Sequence, residues 1–245
     1  MTTLKKPKSR RDFIKSGMTG LAGAVLAPAI IRNRKAYIKP QEQNRKFVYR
    51  TLGKTGIKLP VVSMGTYNAT SVAREGLDAG IVHIDTSADY RQGNDEKMFG
   101  ELLKDRPRDS FVMGTSIGMW QYRSVDQVKN AVTAEKIKDS FNGSLERLQL
   151  DFIDIYYLGG IQHKEIMEYE PYLEALRELK RSGKARFIGV TTHANEPEII
   201  RLATDSDVFD VVLTQYNFTL VNKDEIKKAV KYAAVKGMGV VAMKT

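Results

Sequence analysis

The sequence predicts an α/β barrel of parallel strands and helices over residues 47–245, and three observations support this. The chain has 245 residues, close to the about 250 of a single (β/α)8 barrel. Short runs rich in β-branched and aromatic residues alternate with longer helical patterns, which is typical of βα units. The runs 153–158 and 211–213 are almost continuously apolar, as expected for strands covered on both faces.

The predicted elements begin with a β-hairpin, in which residues 49–52 and 57–61 flank the turn signal Gly-Lys-Thr-Gly. Seven βα strands follow, at 61–66, 81–85, 111–115, 152–158, 186–191, 209–215 and 239–244. Helices are predicted at 125–148, 172–182 and 223–236, two of them ended by Gly183 and Gly237. Seven strands are one short of a closed barrel and leave two unpaired edges, so we expect a truncated product that lacks the last βα unit.

The net charge of +10 lies in the amino-terminal part of the chain. Residues 1–50 hold thirteen Lys and Arg against two acidic residues, a net of +11. The other residues carry 26 basic and 27 acidic side chains, out of 39 and 29 in the whole chain. A nearly neutral body lacks the basic surface of a nucleic-acid-binding protein, so no nucleic-acid partner is expected.

Residues 1–31 are predicted to be an export signal. Residues 9–15 read Ser-Arg-Arg-Asp-Phe-Ile-Lys, and the uncharged run 16–31 is shorter than the ~20 apolar residues that span a bilayer. The paired arginines resemble a twin-arginine signal. Such a protein is exported folded by the twin-arginine machinery to the periplasm and contacts the membrane only through its signal. An ordinary secretory signal and a membrane-surface helix are the alternatives. Residues 32–46, charged and with Pro40, are predicted to be a linker.

The sequence contains no cysteine. Disulfides, thiolate nucleophiles, cysteine-ligated metal sites and a lipoprotein anchor are therefore excluded for this stretch of chain. No metal site is predicted.

The segment 81–90 contains the strongest functional signal. It reads Ile-Val-His-Ile-Asp-Thr-Ser-Ala-Asp-Tyr, so that an apolar strand runs into Asp85 and Tyr90 follows on the next loop. Catalytic groups of (β/α)8 enzymes collect at the carboxyl ends of the strands. The spacing therefore predicts an active site that contains Asp85 and Tyr90.

This segment resembles the Asp-Thr-Ala-x-x-Tyr motif of the aldo-keto reductases, with Ser87 in the alanine position. The resemblance covers residues 47–245 and includes six further motifs in the same order: the opening hairpin, Met-Gly-Thr-Tyr at 64–67, Asp154, Gly-Val-Thr-Thr at 189–192, Gln-Tyr-Asn at 215–217 and Val-Ala-Met-Lys at 241–244. A flavodoxin-like doubly wound sheet is the structural alternative, but the chain lacks its glycine-rich phosphate fingerprint.

The resemblance implies nicotinamide-dependent oxidation or reduction of carbonyl or sugar-like substrates by a Tyr, Lys, Asp and His group. A phenol of pKa near 10 is a poor proton donor at neutral pH, and an adjacent ammonium lowers that pKa. Tyr90 and Asp85 match two of the four residues. Ser116 stands where the family lysine is expected, and Gly159 stands where the histidine is expected.

Two histidines are considered as substitutes for the missing one. His193 follows the fifth strand on the cofactor side of the site, so we include it among the catalytic candidates with Tyr90, Asp85 and Ser116. His163 lies four residues after Gly159, and its predicted role is that of a solvated loop histidine.

The resemblance also implies a cofactor, NADP or NAD, at the ends of the later strands. Gln215 matches the residue that binds the nicotinamide carboxamide. Five others are assigned to the cofactor side: Gly65, Thr66, Thr191, Thr192 and Tyr216. Some exported members of the family add a cysteine-rich iron-sulfur segment, which is expected here only in a missing carboxyl-terminal segment.

Three functions remain open from the sequence. The first is an exported aldo-keto-reductase-like oxidoreductase with Tyr90 as proton donor in an altered site. The second is a barrel that binds a nucleotide or carbohydrate without turnover. The third is an isomerase or lyase reaction in the same pocket, with Tyr90 as acid or base.

Overall fold

The structure is a computed structural model that describes residues 47–65 and 69–245. The predicted export signal (1–31), the predicted linker (32–46) and Thr66 lie outside the described residues. Those assignments stay predictions.

Eight strands and eight α-helices are found in the described part. The strands are β1 (Tyr49–Thr51), β2 (Lys58–Pro60), β3 (His83–Asp85), β4 (Val112–Gly118), β5 (Ile153–Gly159), β6 (Ala185–Thr192), β7 (Val211–Gln215) and β8 (Gly239–Met243). The helices are α1 (Thr70–Asp78), α2 (Asn94–Leu103), α3 (Val125–Ala131), α4 (Ala134–Leu148), α5 (Lys164–Met167), α6 (Glu170–Arg181), α7 (Glu196–Asp205) and α8 (Lys223–Lys236).

The strands form an antiparallel hairpin and a parallel sheet. β1 pairs with β2 around a short 3-10 turn, which confirms the predicted hairpin. β3 to β8 pair in sequence order in one six-stranded parallel sheet, with a helix after each of β3 to β7. This sheet with its helices is a partial (β/α)8 barrel, so the predicted fold class is confirmed.

Two predicted elements differ from the structure. Among the described residues 61–65 of the expected strand 61–66, Met64 alone forms a β-bridge, which is parallel and joins it to Ile84. Val61 and Val62 are exposed. The single helix expected over 125–148 is wrong: the chain is extended at Val132 and Thr133, between α3 and α4. The Thr133 hydroxyl accepts a hydrogen bond from Lys136 N, as an N-cap residue does, so a new helix begins there.

The hairpin lies against the amino-terminal ends of the sheet strands. Leu52, Ile57 and Leu59 of the hairpin form one buried cluster with inward-facing side chains of the sheet, among them Val112, Ile155 and Val211. Lys54 N also donates a hydrogen bond of 2.7 Å to Gly237 O. The opposite, carboxyl-terminal end of the sheet therefore stays open for a site.

Tyr157 is the largest side chain of this cluster in the interior of the sheet. It is fully buried, and glycines flank its ring on the neighbouring strands. A Cβ built on Gly114 of β4 lies 3.1 Å from the ring, and one built on Gly189 of β6 overlaps it. Tyr157 can adopt this position only because both neighbours lack a side chain.

Within residues 47–65 and 69–245, none of the helices has the length and apolar character needed to cross a bilayer.

We expect Gly189→Ala to lower the free energy of unfolding by about 1–3 kcal/mol, because the added methyl group overlaps the Tyr157 ring in a packed interior. Urea unfolding measures this change. Gly65→Ala is the matched control, since nothing lies within 4 Å of a Cβ at Gly65. An equal loss of stability in both variants would contradict this account of the Tyr157 packing.

Candidate active site

The predicted site residues lie at the carboxyl-terminal edge of the parallel sheet. Asp85 ends β3, and Tyr90 begins the 3-10 turn that follows it. Ser116 lies in the last part of β4, Gly159 ends β5 and Gln215 ends β7. The structure thus places these residues on the side of the barrel where such enzymes hold their active sites.

The loop that carries Tyr90 has an unusual backbone. Arg91 and Gln92 adopt left-handed conformations, with φ of 51° and 57°, and Gly93 follows with φ of 80°. Such conformations cost energy in residues other than glycine and persist where the surroundings enforce them. Asp89 is one such restraint, because its carboxylate accepts a 2.6 Å hydrogen bond from Gly118 N at the end of β4.

Buried charges hold the helix that follows this loop. Glu96 in the first turn of α2 is fully buried, and its carboxylate accepts hydrogen bonds of 2.6 Å from Arg147 Nε of α4 and from the Thr115 hydroxyl of β4. Asp95, also fully buried, pairs with Arg91 at 3.2 Å. These contacts position the Tyr90 loop against the end of β4.

Tyr90 faces a cavity of about 280 Å³ lined by Tyr90, Trp120, Gly160, Gln162 and His193. The rings of Tyr90 and Trp120 lie 5.7 Å apart between centroids and are inclined by 30°. Tyr90 is 37% exposed, so its ring is within reach of a ligand. The cavity therefore combines two aromatic faces with the polar groups of a tyrosine, a glutamine and a histidine, as ligand pockets commonly do.

Trp120 and Gln162 also line the cavity, although the sequence did not predict them as site residues. Trp120 follows β4 directly, and its indole lies where side chains at Gly118 and Gly160 would otherwise be. Gln162 Nε2 donates to Trp120 O at 3.3 Å, which joins the loops after β4 and β5. An aromatic residue just after the third barrel strand was a signal that could have identified Trp120.

Asp85 is a carboxyl with an unsatisfied oxygen. The residue is partly exposed, but its Oδ1 is shielded from solvent and has no hydrogen-bond partner among the described residues. Burial raises the pKa of Asp85 from 3.8 to about 7. No Lys, Arg or His of the described part of the chain bonds to this carboxyl.

The pKa of Tyr90 is raised from its ordinary value of 10, mainly by burial and further by the negative charges of Asp85, Asp95 and Asp89. A neighbouring cation would have the opposite effect. Tyr90 is therefore held as a neutral phenol at physiological pH.

Ser116 and Gly159, at the two positions where the sequence departs from the expected pattern, face each other across neighbouring strands. A Cβ built on Gly159 lies 3.1 Å from Ser116 Oγ and 2.9 Å from Ile117 O. The structure thus brings both positions to one place. Ser87 and Ala88, which lie between Asp85 and Tyr90, donate hydrogen bonds to Ser116 O. A large side chain at position 159 would be crowded by the backbone of β4.

The two histidines considered from the sequence have different placements. His193 lines the cavity with Tyr90. Burial, followed by the charge of Lys244, lowers the pKa of His193, so its imidazole is neutral at pH 7. His163 precedes α5 and does not match the solvated histidine that was predicted, because it is half-buried and its Nε2 is shielded from solvent without a partner in the described chain.

The predicted cofactor-binding residues are spread along the later strands. Gln215 is half-buried at the end of β7, and its amide makes no hydrogen bond to any described residue. Gly65 is exposed, with nothing within 4 Å of a Cβ placed there. Thr66 lies outside the described residues. Gln215 and Gly65 are therefore open to a ligand.

The threonines and Tyr216 already have protein contacts. The Thr191 hydroxyl accepts a hydrogen bond from Gly160 N at 2.8 Å and keeps its own proton free. Thr192 is fully buried, and its hydroxyl is engaged by the backbone of Ile161 and Ala194. Tyr216 packs against the cluster between sheet and helices. This placement supports a structural role for Thr192, and the cofactor roles of all three residues stay predictions.

Across residues 47–65 and 69–245, no group of three or more His, Cys, Asp or Glu side chains is placed to hold a metal ion.

Comparison with known proteins decides the family. Residues 63–245 match the model of the aldo/keto reductase family. The chain belongs to this family. Its members are oxidoreductases that generally depend on NAD(P).

Among curated relatives of this aldo/keto reductase, L-galactose dehydrogenase of Arabidopsis thaliana is 31% identical over 215 residues, which cover 80% of this chain and 65% of that protein. L-glyceraldehyde 3-phosphate reductase of Escherichia coli is 27% identical and covers 74% of this chain and 56% of its own. The chain thus spans less than two thirds of the length of these two relatives.

A solved aldo-keto reductase from Bacillus halodurans, in its holo form, has the same fold. It aligns with a TM-score of 0.65 and 25% sequence identity, and covers 80% of this chain and 65% of that one.

We expect the free energy of unfolding to fall as the pH rises from about 4 to about 7 on account of Asp85. The unfolded chain releases this proton near its ordinary pKa of 3.8, whereas the folded protein keeps it until about pH 7. Burial of the charged carboxyl therefore costs stability above that range, by up to about 4 kcal/mol and less where solvent reaches the group.

Asp85→Asn removes this cost, so we expect the variant to gain stability relative to the parent between pH 5 and pH 8, measured by urea unfolding. Asp151→Asn, at an exposed carboxylate, is the control and is expected to show no such gain. A pH-independent difference between parent and Asp85→Asn would contradict the burial of the Asp85 charge.

Proposed function

We propose that this aldo/keto reductase is a nicotinamide-dependent oxidoreductase that interconverts a carbonyl and an alcohol on a sugar-like substrate, with Tyr90 as the proton donor. The observation that carries the proposal is that Tyr90 and His193 line one cavity at the carboxyl-terminal edge of the sheet. The names of the two curated relatives, a galactose dehydrogenase and a glyceraldehyde-phosphate reductase, support a substrate of the sugar class.

The chain's own residues fit the nicotinamide end of NADP or NAD. The Gln215 amide lacks a hydrogen-bond partner in the described part of the structure and matches a carboxamide, which needs one donor and one acceptor. Gly65 lies near the end of the expected first barrel strand, and nothing occupies the space within 4 Å of a Cβ placed there. When bound in the reduced form, the cofactor supplies the hydride for carbonyl reduction.

The role of Tyr90 is to donate its phenolic proton to the carbonyl oxygen as that oxygen gains negative charge. Its raised pKa keeps the proton on the phenol at neutral pH, but it also makes Tyr90 a weak acid. His193, neutral and lining the same cavity, can donate a hydrogen bond to the same substrate and orient it. We therefore propose an altered site that works without the lysine, with Ser116 and Gly159 in place of the lysine and histidine.

A barrel that binds a carbohydrate or nucleotide without turnover is the second candidate. The observation that favours it is the environment of Tyr90, where burial and then the charges of three carboxylates raise the pKa of the phenol. An isomerase or lyase reaction is a further alternative, favoured by the pKa of about 7 of Asp85, which suits an acid-base group.

We also propose that the protein is exported by the twin-arginine machinery to the periplasm. This proposal rests on the sequence of residues 9–31 and on the contrast between the basic first fifty residues and the nearly neutral body.

We expect NADPH or NADH to quench the fluorescence of Trp120, which is the only tryptophan of the chain and lines the cavity. Tyr90→Phe should keep this binding and lower kcat for carbonyl reduction by about 10²–10⁴-fold, the usual contribution of a proton donor. Absence of quenching by either nucleotide would reject the oxidoreductase function. Binding without turnover, unchanged in Tyr90→Phe, would favour the second candidate.

We expect Ser116→Lys to raise kcat/KM for carbonyl reduction by about tenfold or more, because an ammonium beside Tyr90 lowers the pKa of the phenol. The acidic shift of the pH profile of kcat measures the same effect. Val221→Lys adds an equal charge at a fully exposed loop residue and serves as the control. An unchanged pH profile in a folded, nucleotide-binding Ser116→Lys variant would contradict the role assigned to Ser116.

A further inference from the structure

Asp85 lies in an environment that favours a positive charge. It is one of three carboxylates that raise the pKa of Tyr90, together with Asp89 and Asp95. The other two have partners: Asp95 pairs with Arg91, and Asp89 accepts a hydrogen bond from Gly118 N. Asp85 has no cationic partner among the described residues, and its Oδ1 accepts no hydrogen bond from them.

A second unsatisfied group lies in the same part of the barrel interior. The hydroxyl of Tyr157, a fully buried residue, has no hydrogen-bond partner in the described chain. Both Asp85 Oδ1 and the edge of the Tyr157 ring lie close to the same point, a Cβ built on Gly114, at 3.0 and 3.1 Å. Two buried oxygens without partners therefore lie close to one strand position, where each unmet hydrogen bond costs free energy.

Strand β4, which carries Gly114, also carries a third side-chain oxygen, the hydroxyl of Ser116. Ser116 is two residues beyond Gly114 on β4 and points to the same face, and its hydroxyl makes no hydrogen bond to a described residue. Gly159 lies beside Ser116 on the neighbouring strand, since a Cβ built on Gly159 is 3.1 Å from Ser116 Oγ. Asp85 is itself partly exposed, so small solutes can reach it.

The oxygens suit an ammonium group better than a metal ion. Three acceptors, one of them an anion, match the three N–H donors of a primary ammonium. A divalent cation requires more carboxylate or imidazole ligands, and no such group is found in residues 47–65 and 69–245.

We propose that Asp85, with the hydroxyls of Ser116 and Tyr157, binds a primary ammonium group beside Tyr90, carried by an amino-sugar substrate or by a small free amine. The bound ammonium provides a positive charge beside Asp85, which has no cationic partner within residues 47–65 and 69–245. The proposal deepens the function proposed above by naming the substrate class, but the binding site itself does not depend on turnover.

The binding test measures thermal stability of the whole protein at pH 8 in methylammonium, tetramethylammonium or potassium chloride at equal ionic strength. Methylammonium donates three hydrogen bonds, tetramethylammonium donates none, and potassium matches only the charge. We expect methylammonium to raise the Tm in a saturable manner, with an apparent affinity at least about tenfold above the other two ions.

Two variants address the site, and either one is sufficient. Asp85→Asn removes the charge, and Ser116→Lys introduces a tethered ammonium that occupies the same place, so each is expected to abolish the methylammonium effect. Val221→Lys, with the same added charge on an exposed loop, is expected to keep it. Equal effects of the three cations, or a methylammonium effect that persists in Asp85→Asn and Ser116→Lys, would overturn the proposal.

A separate measurement identifies the source of the ammonium group. Glucosamine and glucose are compared as substrates with the nicotinamide cofactor. A kcat/KM about tenfold higher for glucosamine, lost in Ser116→Lys, indicates a substrate amine. If glucosamine is not preferred over glucose, but methylammonium still binds and enhances the turnover of glucose, the ammonium group comes from a free amine. That result still supports the site. Absence of any turnover rejects the oxidoreductase function and leaves the binding result to decide the ammonium site.

Discussion

The packing of Tyr157 in the interior of the sheet is the constraint on which the site depends. Its ring fits between Gly114 and Gly189 because neither has a side chain, and it belongs to the same buried cluster as the hairpin residues Leu52, Ile57 and Leu59. This part of the barrel interior is therefore a close-packed core, in which an added methyl group lowers the stability of the fold. It also places a buried hydroxyl near Asp85, so the same packing that stabilises the fold shapes the polar interior of the site.

The electrostatics of the site depend on the lack of a cationic partner for Asp85 among the described residues. In a partly buried region with several carboxylates, the free energy of each negative charge depends on a nearby cation. Arg91 and Arg147 serve Asp95 and Glu96 in this way, and both pairs hold the helix that follows Tyr90. Asp85 has no comparable partner in the described chain, so nothing there offsets the burial that raises its pKa. Burial also raises the pKa of Tyr90, and the charge of Asp85 adds to that effect. Protonation of Asp85, binding of a cation and introduction of a lysine each compensate its negative charge.

Much of the fold was predictable because its signals are local. Strand positions in the sheet, the hairpin and the position of Gly237 at the end of α8 follow from apolar runs and turn residues. The exception at Val132 and Thr133 shows the limit of periodicity, since an N-cap can begin a second helix inside a continuous helical pattern. Asp85 and Tyr90 were predictable as neighbours because both follow one strand. Trp120 has a local signal, since it directly follows β4, but its place in the cavity also depends on Gly118 of β4 and Gly160 after β5, which are far apart in sequence.

The sequence by itself determined the family, the parallel α/β fold and the edge of the sheet that carries Asp85, Tyr90, Ser116 and Gly159. Strand order and motif spacing encode these features locally, so they can be read along the chain. Only the tertiary structure decided which polar groups have hydrogen-bond partners. The Thr192 hydroxyl bonds to the backbone, whereas Asp85 Oδ1 and the Tyr157 hydroxyl lack partners in the described chain. The tertiary structure also decided that His193 and Trp120 share the cavity with Tyr90. Hydrogen bonding, burial and charge depend on distances between strands far apart in sequence, and those distances exist only in the folded chain.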